Sequence, residues 1–154
     1  MFPPTVDRVS TNTSAAINRR LRRETDHRVR YYADRPEEID ARLDELDEEW
    51  DIERTLQANA AAVSLAGLTL GIARARCWLA LPFAVSWFLL QHATQGWCPP
   101  LPVLRRLGVR TAGEIERERH ALKALRGDYV DVDLVPDRAP AERARRALRA
   151  ADML

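Results

Sequence analysis

The chain has 154 residues, 31% of them charged, with a formal net charge of +1 and a mean hydropathy of −0.37. These averages conceal a long stretch, from Thr55 to Leu104, whose only charged residues are Arg74 and Arg76. Such segregation excludes a single, evenly mixed globular domain, and so apolar a middle excludes full disorder. A net charge near zero provides no overall attraction to nucleic acid, so no nucleic-acid partner is expected.

The polar, proline-bearing residues 1–13 are expected to form a flexible N-terminus. A charged helical arm is predicted over residues 14–54, with Thr13 or Ser14 as the N-cap of its first helix. After Pro36, apolar residues recur at heptad-like spacing among acidic ones, at Ile39, Leu43, Leu46 and Trp50. This spacing predicts a second amphipathic helix that pairs with the first or with a second copy of itself. Because no helix breaker follows it, one continuous helix is expected to run on into the apolar stretch.

Residues 55–97 contain two uncharged segments, 55–73 and 77–97, on either side of a short gap that holds Arg74 and Arg76. At 1.5 Å per residue the segments extend ~28 and ~31 Å as helices, close to the ~30 Å of a bilayer's hydrocarbon core. The expected fold class is therefore all-α: a two-helix transmembrane hairpin flanked by amphipathic cytoplasmic helices. The lipid bilayer is the first expected partner.

Aromatic and basic residues at the ends of these segments are typical of membrane interfaces. Trp78 and Trp97 lie ~28 Å apart along a helix, so each is expected at one interface. The expected basic anchors, whose long side chains reach the headgroups, are Arg74, Arg76, Arg105 and Arg106. Arginines that flank the hairpin outnumber those in its loop, and this asymmetry predicts that both termini are cytoplasmic.

A stripe of small residues follows one face of the first segment, at Ala60, Ser64, Gly67 and Gly71. In lipid, helices associate through close backbone approach, which small residues permit. The sequence leaves two interpretations open. The stripe forms the seam of a homodimer or of a contact with another membrane subunit, or it packs the first segment onto the second within one hairpin.

Residues 98–127 are predicted to form an interfacial segment and a capped helix. The aliphatic and basic residues from Leu101 to Arg110 are expected along the membrane surface. Thr111 and Glu114 then have the spacing of a capping box, which predicts the start of a helix that ends at a glycine, Gly127. A linker and a C-terminal helix are expected over residues 128–154.

Three motifs of this chain, AGLTLG, LLQHATQGWCPP and LPVLRRLGVRT, carry a family resemblance. They lie between Glu53 and Arg110, which resembles the YgaP-like transmembrane family, named after the membrane anchor of a bacterial membrane-bound rhodanese. The resemblance implies a multi-pass hairpin in the bacterial inner membrane that forms dimers. The chain has no room for the catalytic rhodanese domain of some members, so sulfurtransferase activity does not carry over.

Cys98 and His92 are the candidates for chemistry. Cys98 is a candidate thiol at the predicted interface that accepts a persulfide or palmitate or senses oxidation, or it is merely a small residue before the helix stop. His92 is an ionisable group at membrane depth, and a neutral, hydrogen-bonded histidine that joins helices is the favoured interpretation. A pair between them is not expected, because they are six residues apart on poorly aligned helix faces.

The sequence predicts no catalytic constellation, metal site or cofactor. The favoured function is therefore a non-enzymatic, oligomerising membrane scaffold or accessory subunit. The alternative is a membrane thiol protein that relays sulfur or senses redox state through Cys98. A soluble bundle that buries the apolar hairpin is disfavoured, since the charged arms offer only narrow apolar stripes to cover it.

Overall fold

The computed structural model describes residues 8–129, and over that range the chain is all-α, as predicted. The α-helices in chain order are α1 (Arg8–Thr11), α2 (Ala15–Ala33), α3 (Ile39–Glu48), α4 (Ile52–Ala73), α5 (Ala80–Gln95), α6 (Leu101–Leu107) and α7 (Ala112–Arg126). Short 3₁₀ turns precede α3 and α5, at Pro36–Glu38 and Arg76–Leu79. The first part of the expected flexible N-terminus and nearly all of the expected linker and C-terminal helix lie outside the described residues.

Helices α2, α3 and α7 pack together into a small bundle, here called the arm bundle. Its core contains the predicted apolar seam of α3 and the inner face of α7, with Ile39, Leu43, Leu46, Ile115 and Leu122 all buried. Both predicted helix starts are confirmed. The Ser14 side chain accepts a hydrogen bond from the backbone N–H of Ile17, and Thr111 and Glu114 form the complete capping box.

The expectation of one continuous helix from the arm into the apolar stretch is wrong. Glu49 has an extended backbone after the end of α3, and Asp51 caps the start of α4 by accepting a hydrogen bond from the N–H of Arg54 at 2.7 Å. Trp50 lies in this break, half exposed, under the guanidinium of Arg54. The apolar seam of α3 therefore ends at Leu46, and the arm bundle can fold back beside the hairpin.

Helices α4 and α5 form a closely packed hairpin. Its connection is longer than the three-residue gap in the sequence, because the 3₁₀ turn occupies the start of the predicted second segment. Pro82 consequently lies in the first turn of α5, where its missing N–H removes no intrahelical hydrogen bond. Helix α5 ends at Gln95, and Gly96 follows in the left-handed conformation, with φ of 74°.

A second apolar core joins the hairpin to the segments on either side of it in the chain. It contains Val9, Ile52, Leu56, Cys98 and Leu101. Residues 8–13 are thus held in place rather than frayed, which corrects the expected flexible N-terminus over that part. Helix α6 is likewise packed into the protein through its buried Leu101 and Arg105, while Val103 and Leu107 are exposed. Its position along a membrane surface stays a prediction.

Candidate functional site

The outer surface of the hairpin is strongly apolar. Large hydrophobic side chains are exposed along both helices, at Val63, Leu65, Leu68, Ile72, Phe83, Trp87, Phe88, Leu89 and Leu90. Within residues 8–129, one helix is long and apolar enough to cross a membrane; it ends at Ala73 and has a mean hydropathy of 1.4 over its best window. Contiguous apolar surface of this extent marks a site of contact with lipid or with another protein.

The small-residue stripe faces the inside of the hairpin. Gly67 and Gly71 are buried, and Ala60 and Ser64 are half-buried. A methyl group added at Gly67 would lie 2.7 Å from Cδ of Pro82, and one added at Gly71 would lie 2.5 Å from Cδ2 of Leu79. The structure thus realises the intramolecular interpretation of the stripe, in which small residues bring α4 and α5 together.

The expected interface anchors divide into two groups. Trp78, Trp97, Arg74, Arg76 and Arg106 are exposed, at or near the two ends of the hairpin. Arg105 is instead fully buried, and its guanidinium donates to both carboxylate oxygens of Glu114, at 2.7 and 2.8 Å, and to Oδ1 of Asn18. The headgroup role predicted for Arg105 is wrong, because this side chain joins α2, α6 and α7.

His92 belongs to a polar cluster where the end of α5 lies beside the start of α4. The side chain is 2% exposed, and its Nε2 lies 3.0 Å from Oε2 of Glu53 in the first turn of α4. The other oxygen of Glu53 accepts a hydrogen bond from Arg8 at 2.9 Å, and Arg8 also donates to the carbonyl of Ala93. His92 therefore joins two helices, in agreement with the favoured interpretation of this residue.

Cys98 lies beside His92, contrary to the expectation that they would not meet. The left-handed Gly96 reverses the chain after α5 and returns Cys98 to the helix it has just left. A Cβ atom at Gly96 would lie 2.6 Å from the carbonyl oxygen of Arg8. This turn therefore requires glycine both for its left-handed backbone and for the close contact with Arg8. The Cys98 thiol is buried and free, and Nδ1 of His92 is buried without a hydrogen-bond partner in the described part of the chain.

A cavity of about 340 Å³ opens in front of these two side chains, between α4, α5 and α6. Its walls are almost entirely apolar, formed by Leu56, Ala60, Val63, Val85, Phe88, Leu89, Pro100 and Leu104. The polar groups that reach it are Asn59, His92 and Cys98. An apolar cavity of this size with a few polar groups at one point has the form of a small-molecule binding site.

The side chains of Cys98, His92 and Glu53 lie in the order needed for nucleophilic chemistry. A thiol acts as a nucleophile when a neighbouring base removes its proton, and the base is in turn oriented by a third group. The carboxylate of Glu53 accepts from Nε2 of His92, so the lone pair of the neutral imidazole is on Nδ1, which has no hydrogen-bond partner among the described residues. The arrangement can therefore activate the Cys98 thiol toward an electrophile that enters the cavity.

A buried ionic cluster lies in the arm bundle, away from the cavity. Glu118 of α7 is fully buried, and its carboxylate accepts hydrogen bonds from Arg28 of α2 and Arg42 of α3, at 2.9 to 3.1 Å, and from Arg110. Burial by itself raises the pKa of Glu118, but the hydrogen bonds from Arg28 and the charge of Arg110 outweigh it and lower that pKa. One carboxylate thus holds three segments together.

Glu114 has a similar but smaller role. Burial raises its pKa, while the two hydrogen bonds from Arg105 and the one from the backbone N–H of Thr111 together bring that pKa below its ordinary value. The charge is therefore retained in the folded protein at neutral pH, and it neutralises the buried Arg105.

Sequence reasoning missed Glu53, Glu114 as a partner of Arg105, and the whole Glu118 cluster. One signal for Glu53 was present: it is an acid two residues before the uncharged segment 55–73, and a hairpin places that point opposite the end of its second helix, where His92 lies. For Glu118 no such signal existed, since it is one acid among many in a charged helix. In the part of the chain that the structure describes, no group of three or more His, Cys, Asp or Glu side chains could hold a metal ion.

Comparison with known proteins found no match for this chain among protein-family models, curated proteins or solved structures. The similarity to the YgaP-like transmembrane family therefore stays a prediction from the sequence motifs.

Proposed function

We propose that the chain is an integral membrane protein of the bacterial inner membrane whose hairpin crosses the bilayer twice. The proposal is carried by one observation: the large apolar side chains of α4 and α5 face outward, and the arm bundle does not cover them. A water-soluble protein would bury these side chains, because exposing so many of them costs on the order of 25 cal/mol per Å². Lipid is the surrounding that suits them.

Helix α5 by itself is short for a membrane crossing. Its 16 residues span roughly 24 Å, which is short of a ~30 Å core. The preceding 3₁₀ turn adds four residues at about 2 Å each, so the apolar structure from Arg76 to Gln95 reaches roughly 32 Å. Arg76 and Trp78 lie at one end of this stretch and Trp97 lies just past the other, and these residue types suit the two headgroup layers.

Extraction of isolated membranes with alkaline carbonate tests this placement. The full-length protein is expected to stay in the pellet and to enter solution only with detergent, because two apolar helices hold it in the bilayer. A peripheral protein kept on the membrane by charge alone serves as the control that carbonate must release. Recovery of the chain in the carbonate supernatant would contradict the proposal.

The proposed topology has both termini and the arm bundle in the cytoplasm and the hairpin loop outside. Cys77 in that loop is exposed, whereas Cys98 is buried. In a Cys98→Ser background, a membrane-impermeant maleimide is expected to label Cys77 in spheroplasts. The matched control is Asp44→Cys on the exposed face of α3, with Cys77 and Cys98 both changed to Ser, which should react only in inverted vesicles. The reverse pattern would overturn the topology.

The role we propose for this membrane protein is that of a non-enzymatic scaffold or accessory subunit. The arm bundle is joined to the start of the hairpin through the backbone hydrogen bond from the N–H of Ile52 in α4 to the carbonyl of Arg110, at 2.9 Å. Such a bundle presents a surface to a second copy of the chain or to another membrane subunit. Cross-linking in native membranes followed by mass spectrometry tests this, and a chain recovered only as uncross-linked monomer would count against it.

A second candidate function is that of a membrane thiol protein acting through Cys98. The contact between Cys98 and the Glu53-bound His92, at the end of an apolar cavity, favours it. The proposal requires a Cys98→Ser variant to lose function while still resisting carbonate extraction. Unchanged function in that variant would remove this candidate and leave the scaffold.

A further inference from the structure

We propose that Cys98 is a site of S-acylation, which takes a long-chain fatty acyl group from an acyl thioester and holds its chain in the cavity between α4, α5 and α6. This inference rests on the proposed membrane placement of the hairpin and deepens the thiol function, since it names the group that the thiol carries. Three features of the molecule lead to it.

The first feature is the shape and lining of the cavity. It extends from Cys98 along the hairpin, past Val63 and Phe88, between helices that we place in lipid. Hydrocarbon is therefore the material that borders it, and an acyl chain matches the apolar side chains that form most of its lining. A persulfide or a sulfenic acid would fill only the polar end.

The second feature is the position of the thiol. Cys98 follows the end of α5 and lies beside Pro100, at the depth where the uncharged hairpin gives way to the arginine-bearing α6. The thioester of a membrane-inserted acyl donor lies at the same depth, between its buried hydrocarbon and its polar carrier. The donor's carbonyl carbon can thus approach the sulfur from the cavity while its carrier stays in water.

The third feature is the unpartnered Nδ1 of His92, which is buried in the wall of the cavity next to the thiol. In the proposed step Sγ of Cys98 attacks the carbonyl carbon, and a new Sγ–C bond forms. The bond from that carbon to the sulfur of the carrier breaks. His92 takes the thiol proton and passes it to the departing thiolate, so that one thioester is exchanged for another with no change of oxidation state.

Intact-mass analysis of the full chain purified from membranes is the first test. A long-chain acyl increment is expected that neutral hydroxylamine removes, and it should vanish in Cys98→Ser but persist in Cys77→Ser. Cys77 is the matched control because it is exposed at the far end of the same hairpin. An unmodified Cys98, acylation confined to Cys77, or a lipid tail bound without a thioester would each overturn the inference.

The purified, hydroxylamine-treated protein in detergent, incubated with palmitoyl-coenzyme A, tests the roles of the neighbours. His92→Gln is expected to slow acylation by about 100-fold, a loss typical of a missing general base, and to change its pH dependence. Val63→Phe narrows the cavity and should shift the preference toward shorter chains, while the outward-facing Leu65→Phe should not. Equal rates and equal chain preference in all variants would contradict the proposed site.

Carbonate extraction of the same variants separates this inference from the one it rests on. A chain that stays in the membrane pellet but carries no acyl group refutes S-acylation alone. A chain released by carbonate refutes the membrane placement itself.

Discussion

The hairpin and the arm bundle place opposite kinds of residue in their interiors. Between α4 and α5 the contact is made by glycines, and the large apolar side chains point outward. In the arm bundle the leucines and isoleucines point inward, together with the carboxylate of Glu118 and its arginines. This difference supports the proposed placement of the hairpin in lipid and the arm bundle in water, because side chains that match each surrounding would then lie outside.

The largest effect is expected from neutralising the buried carboxylate of the arm bundle. Glu118→Gln leaves three arginines facing an uncharged amide, and breaking a buried ionic cluster in this way costs about 3–5 kcal/mol of stability. Hydrogen exchange of α2, α3 and α7 in lipid nanodiscs measures the loss. The matched control is Glu116→Gln on the exposed face of α7, expected to cost at most about 1 kcal/mol. Equal protection in the two variants would show that the cluster does not hold the bundle together.

The second-largest effect is expected from acid, which should destabilise the arm bundle more than the hairpin. The pKa values of Glu118 and Glu114 are lowered by folding, so the stability they contribute is present above about pH 4.3, the ordinary value for glutamate. It is lost as the pH falls through their lowered values, because the folded state must then take up protons against its arginines. Residues 55–97 contain no Asp or Glu. Circular dichroism and hydrogen exchange from pH 7 to pH 3 should therefore show the arms opening while the hairpin stays helical; simultaneous loss of both would contradict this.

A smaller effect is expected from enlarging the glycines of the hairpin. Gly71→Ala places a methyl group against Leu79, and such overpacking typically costs about 1–3 kcal/mol. Titration of SDS into mild-detergent micelles, followed by tryptophan fluorescence, measures the stability of the hairpin. Gly113→Ala in α7 is the matched control, because no atom lies within 4 Å of its added methyl group. A Gly71 variant as stable as wild type would mean that the close contact of α4 with the 3₁₀ turn before α5 is not essential.

Local signals in the sequence were sufficient for several elements. Ser14, Thr111 with Glu114, and Gly127 mark helix ends through hydrogen bonds that depend on only a few neighbouring residues. The same reasoning failed at Asp51, whose capping role was hidden among other acids, and a continuous helix was expected instead. Local reasoning is therefore reliable where a cap residue is distinct from its surroundings.

Local reasoning of this kind identified two residues of the candidate site but not their contact. Cys98 and His92 were recognised as unusual residues, yet their contact was not expected, because it needs the chain reversal at Gly96. Glu53 completes the site from a residue 39 positions before His92 in the chain. No local pattern encodes a contact of that separation.

The sequence by itself determined which segments are apolar, which are charged and where several helices begin or end, because hydropathy and helix-end signals are properties of the residues themselves. These properties predicted an all-α fold with two uncharged segments between charged arms. Only the tertiary structure decided which of the many charges are buried and paired, as for Arg105 with Glu114 and for Glu118 with its arginines. The physical reason is that a buried ion pair depends on the positions of two side chains that are distant in the sequence. The identity of a charged residue does not show whether water will solvate it or an opposite charge will pair with it.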